Sequence, residues 1–125
     1  MYSRQYEERT KFKKHLVVIF YSNRQVVLTD FLSGEMRNFS LEIKQALDEV
    51  FLGKTDIVDF SGNMVACEGN AQEVEVYYNY MEEELGPSVF MSTAKLKELV
   101  DEWIEMEDKF RKGELDGKLP LVIED

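Results

Sequence analysis

Glu73-Val-Glu-Val-Tyr-Tyr-Asn-Tyr80 alternates strictly: Val74, Val76, Tyr78 and Tyr80 fall on one side, and Glu73, Glu75, Tyr77 and Asn79 on the other. A period of two is the repeat of a pleated strand, so this split predicts one face against a core and one in water. Antiparallel sheets tolerate a wet face, whereas parallel sheets are covered on both. The stretch therefore points to an antiparallel sheet, and its neighbours extend the reading. Upstream, Met64 to Glu68 and Thr55 to Phe60 read as strands separated by Gly62-Asn63, a two-residue hairpin signal, with Gly69-Asn70 as the next turn. Downstream, Glu82 to Ser88 is a loop broken at Gly86-Pro87, and Val89 to Met91 is a short strand.

Two amphipathic helices are expected. In the second, Leu96, Leu99, Val100, Trp103 and Ile104 recur at helical spacing after Ser92-Thr93, Phe110 extends the stripe, and Lys112-Gly113 closes it. The first starts at Ser40 as N-cap, carries Ile43, Leu47, Val50 and Phe51 on one stripe and stops at Gly53. Further upstream, Leu16 to Tyr21 and Gln25 to Thr29 are rich in β-branched residues around a polar turn and read as a hairpin, with Met36 to Phe39 as another short strand. Leu119 to Ile123, interrupted by Pro120, suits an edge strand or an extended cover. The expected fold class is α+β, an antiparallel meander of about five or six strands with two amphipathic helices on one face; a doubly wound α/β sheet is the weaker alternative. Residues 1–14, with a local charge of +3, read as a basic flexible arm or a short first helix, and 15–125 as a single α+β domain.

The chain has 125 residues, with 25 Asp and Glu against 15 Lys and Arg, a formal charge of −10. That excess disfavours a nucleic-acid backbone or an anionic membrane as the main partner. No window approaches the roughly 20 apolar residues of a membrane-spanning helix. A single cysteine cannot pair internally, and the apolar run Leu16 to Tyr21 is too short for an export signal, so the expected localisation is cytoplasmic. His15 has no second imidazole with which to build a metal site and reads as a strand-end side chain; Cys67 reads as a small core residue. No short motif for phosphate, metal or cofactor is present, so neither catalytic residues nor cofactors are expected. A hydrolase using buried carboxylates would need a pocket in which two of them converge.

The charge is concentrated. Between Glu68 and Asp108, 12 acidic residues face two basic ones, Lys95 and Lys97. Such a stretch serves solubility or meets a basic protein. On the second reading, the partner-binding residues are Glu73, Glu75, Tyr77, Glu82, Glu83 and Glu84, together with Glu98, Asp101, Glu102 and Glu105 on the outer side of the last helix. Tyr77 shares the acidic face and suits an interface anchor; Tyr78 and Tyr80 share the valine face and suit the core.

A Ser-capped helix ending in Leu52-Gly53-Lys54, the hairpin Phe60-Ser-Gly-Asn63 and the closing helix from Ser92 to Trp103 resemble in layout the bacterial immunity proteins encoded beside polymorphic or contact-dependent growth inhibition toxins. The likeness spans His15 to Phe110. It implies a non-enzymatic inhibitor that binds a cognate toxin, often a nuclease with a basic cleft, through acidic groups standing in for phosphate. The alternative function is a structural or adaptor domain that self-associates through an exposed strand.

Overall fold

A computed structural model describes residues 1–125, apart from the side chain of Glu82, which lies outside the described residues. The chain forms β1 (Arg4–Arg9), β2 (His15–Phe20), α1 (Val26–Asp30), a π-helical turn (Phe31–Glu35), α2 (Met36–Phe51), β3 (Ile57–Ser61), β4 (Val65–Asn70), β5 (Glu73–Tyr78), α3 (Glu82–Leu85), β6 (Val89–Ser92), α4 (Thr93–Arg111) and β7 (Leu121–Ile123). The class is α+β, and all strand pairing is antiparallel.

The strands divide between two sheets. One is the expected meander, β3-β4-β5-β6; the other has the order β2-β1-β7. In the meander, Val58, Phe60, Val65, Cys67, Val74, Val76, Tyr78, Val89 and Met91 turn inward and are buried. Phe60 meets Phe31 and Phe39 edge-on, at centroid distances of 6.4 and 5.6 Å, which seats the helical segment 26–51 on that inner face. On α4, Trp103 stacks on Tyr6 of β1 at 6.1 Å, tying the last helix to the second sheet. Ser92 caps α4 as its side chain accepts from the Lys95 N–H at 3.1 Å.

Five expectations need correction. Gln25 to Thr29 is not the partner of β2, and Met36 to Phe39 is not a strand; both lie in helical backbone. The reason is a longer period that local β propensity hides. Val27, Leu28, Phe31, Leu32, Glu35 and Met36 recur at helical spacing, and all are buried. The segment also closes the outer edge of β2, where Ser33 Oγ accepts from the Val18 N–H at 3.0 Å and Thr29 Oγ1 from the Phe20 N–H at 3.2 Å. Hydroxyls thereby replace the ladder that a further strand would have made. Ser40 does not cap a helix: the break there is a kink at Phe39 (φ −130°, ψ 27°) inside α2. Arg4 to Arg9 is not an arm but the central strand of its sheet, because Arg4 and Tyr6 point inward and the Arg4 charge finds two carboxylates. Tyr80 lies beyond the end of β5 and is 51% exposed, so the core face of that strand ends at Tyr78.

Two phenols are sealed into this architecture. Tyr6 donates to Glu102 Oε2 at 2.8 Å and Tyr78 to Asp30 Oδ2 at 2.5 Å. Burial first, then the neighbouring carboxylate, raises both well above the ordinary tyrosine value of about 10. Below pH ~10 folded and unfolded chains both keep these protons; above it the unfolded chain sheds protons that the folded one retains, so stability falls as pH rises from there. The urea midpoint should drop above pH ~10. Of the six tyrosines, at least Tyr6 and Tyr78 should ionise, by absorbance near 295 nm, only as helical circular dichroism is lost. Ionisation of all six in an intact fold would contradict this.

Candidate protein-binding face

The helices cover the inner face of the four-stranded sheet, and the register decides what the outer face presents. β3 pairs with β4 so that Asp59 is opposite Glu68, β4 with β5 so that Glu68 is opposite Glu75, and β5 with β6 so that Glu75 is opposite Phe90. Three carboxylates thus stand in one row across three strands, with side chains about 4.5–5.5 Å apart at Cβ. Asp59 and Glu68 are exposed and Glu75 half-buried. Among the described residues none of them makes an ion pair, nor does Glu73, exposed one pleat along β5. Ile57 and Phe90, 65% and 64% exposed, lie on the same face at the two edge strands.

Tyr77 sits one pleat from the row, opposite Ala66 and half-buried. Its phenol is raised above the ordinary value by burial, then by the charge of Glu68, then by Asp59 and Glu75. The negative potential that holds its proton is the one an incoming cation would feel. The row can therefore pair several Lys or Arg side chains, while Tyr77 offers a protonated hydroxyl beside them.

The helix carboxylates do not join this face. Glu102 receives Arg4 at 2.6 Å and the Tyr6 hydroxyl at 2.8 Å. Asp101 is paired with Lys97 at 2.9 Å and Lys44 at 3.6 Å, Glu98 with Lys95 at 3.3 Å, and Glu105 with Lys109 at 3.0 Å. These four are engaged inside the molecule, so the structure separates them from Glu73, Glu75 and Tyr77. Glu83 and Glu84 are exposed on α3; Glu82, with its side chain outside the described residues, is not assigned to the face. Asp59, Ile57 and Phe90 are additions that the sequence reading missed. The hairpin at Gly62-Asn63 carried the signal, since it sets Ser61 against Ala66 and hence Asp59 against Glu68.

Other chemistry-bearing groups are occupied structurally. The Cys67 thiol is pushed up to about 12 by burial, then by Asp59 and Glu68, and stays protonated and unreactive at neutral pH. His15 Nδ1 lies 2.6 Å from the Lys13 carbonyl oxygen, to which it donates. Among the described residues, no three His, Cys, Asp or Glu side chains gather as a metal-holding group, and no helix is long and apolar enough to cross a membrane. No protein-family model matches the chain, and neither a curated protein nor a solved structure shows significant similarity to it.

Proposed function

We propose that this chain is a protein-binding inhibitor of immunity type, whose outer sheet face docks a basic partner such as the cleft of a nuclease toxin. The observation that carries this reading is the row Asp59, Glu68 and Glu75, aligned in register and left without cations. Like charges directly opposite in a sheet destabilise it. The same chain satisfies its α4 carboxylates with lysines and arginines. Local rules broken without an internal gain mark places where function outweighs stability. Ile57, Phe90 and Tyr77 supply the apolar and aromatic anchors that interface centres use, and the carboxylates the steering field. No enzymatic role is part of this proposal.

Three outcomes follow. Glu68→Gln should stabilise the fold by about 0.2–1 kcal/mol, read as a raised urea midpoint, because it removes both repulsions in the row. The same variant should slow association with the product of the gene adjacent to this chain's own, the expected position of a toxin gene. For the unmodified chain, the stopped-flow association rate should fall about tenfold between low and physiological salt. A salt-insensitive rate, or no association with that product, would overturn the reading. A second reading, self-association as an adaptor, is favoured by the open edges of β3 and β6. Sedimentation showing a dimer that persists in Glu68→Gln would support it.

A further inference from the structure

The acidic chain holds a basic recess at one end of α4. The β1–β2 loop, the start of β2, α2 and the last turns of α4 border a partly open cavity of about 240 Å³, lined by His15 and the exposed Lys13, Lys14, Arg37 and Arg111 against one carboxylate, Glu107. Leu16 and the Phe110 ring form its apolar wall. These cations are poorly satisfied although carboxylates outnumber Lys and Arg by 25 to 15. Among the described residues, Arg37 donates only to the Leu16 carbonyl, at 3.4 Å. Lys13 has no ion-pair partner among the described residues, and Arg111 reaches Glu107 only at 4.0 Å. Lys14 has loose partners in Glu8 at 3.5 Å and Asp116 at 3.8 Å, and lies 5.6 Å from the Phe110 centroid.

We propose that this cavity binds a small dianionic phosphate ester with a compact apolar or aromatic body. Two guanidinium groups supply the planar forks that match phosphate oxygens, the lysines add point charge, and Phe110 with Leu16 receives the ester's body. Size and range select the ligand class. Pockets for drug-sized ligands run from roughly 300 to 1,000 Å³, so this one suits something smaller. Screening limits exposed charges to about 8 Å at physiological salt, so a ligand inside the cavity feels its cations. A nucleic acid or a membrane surface would extend onto a molecule of charge −10 and be repelled.

Calorimetric titration of the full chain with phenyl phosphate at physiological salt should show one site with a dissociation constant of about 1 mM or tighter. The exposed pair Arg37→Gln/Arg111→Gln should weaken it at least tenfold, roughly the loss of a charged hydrogen bond, with an unchanged melting temperature. Lys54→Gln, a cation outside the cavity, should leave affinity unaltered, as should Glu68→Gln, which keeps this test separate from that of the sheet face. Absence of binding at millimolar phenyl phosphate, equal binding by the double arginine variant, or tighter binding of a short single-stranded DNA would each overturn the proposal.

Discussion

Replacing Arg4 by alanine should lower folding stability by about 3 kcal/mol, the lower end of the range for removing one partner of a buried ion pair. Arg4 is 4% exposed. Its Nε and Nη2 donate to the two oxygens of Glu102 at 2.7 and 2.6 Å, while Nη1 reaches Asp125 Oδ1 at 2.7 Å and the Tyr2 carbonyl at 2.8 Å. Tyr6 shares the Glu102 carboxylate, and Lys95 shares that of Asp125. Alanine would strip Glu102 of its cation and leave Asp125 to Lys95 alone. Because their side chains keep 23% and 30% of their surface in water, screening places the loss at the low end. Arg4→Lys, which keeps charge but not the fork, should lose less.

The Arg4 effect should also depend on pH. Hydrogen bonds from Lys95, and then from Arg4, hold the Asp125 carboxyl below the ordinary range. A depressed carboxyl stabilises the fold above its unfolded value of about 3.9 and ceases to as pH falls through the folded value. The Arg4→Ala deficit in urea unfolding should accordingly shrink below pH ~4. A deficit under about 1 kcal/mol at neutral pH would reduce the network to ordinary surface pairing.

Gly62→Ala should be about as damaging, with a loss of roughly 2–4 kcal/mol from displaced hydrogen bonds to a buried carboxylate. Glu35, in the π-helical turn, is 4% exposed and accepts from the backbone N–H groups of Asn63, Met64 and Val65 at 3.2, 3.4 and 3.3 Å. It thereby ties the β3–β4 hairpin to the helical segment. A Cβ on Gly62 would fall 1.6 Å from Glu35 Oε2 and 2.4 Å from Cδ, so the carboxylate must leave its donors. A double-mutant cycle separates this from any intrinsic need for glycine. Glu35→Ala orphans the same N–H groups, but it also removes the obstacle, so Glu35→Ala/Gly62→Ala should be no worse than Glu35→Ala alone. Additive losses would place the clash elsewhere.

These two devices explain what the sequence could and could not disclose. The alternation of β5 and the stripe and cap of α4 are local patterns, and both elements form nearly as expected. Arg4 and Glu102, by contrast, are 98 positions apart and Glu35 and Val65 are 30, so no window contains their pairing. Without it, a basic N-terminal stretch reads as an arm, and the α4 carboxylates read as free. Residues 25–39 misled for another reason: Val26, Val27 and Thr29 favour strands locally, but the burial of Leu28, Phe31, Leu32 and Met36 requires the helical period. On the candidate face, Glu73, Glu75 and Tyr77 were legible from alternation. Asp59 needed the cross-strand register.

The position of β1 between β2 and β7 has a bearing on synthesis. The N-terminal strand β1 is flanked on one side by β7, some 112 residues later in the chain. As the chain leaves the ribosome, β1 can pair early with β2 through a short hairpin, but its other edge stays open until residues 121–123 emerge. Arg4 likewise waits for Glu102 and Asp125. Nascent chains halted before β7 should therefore be protease-sensitive at their N-terminal strand, and the molecule acquires its full resistance late, as one event.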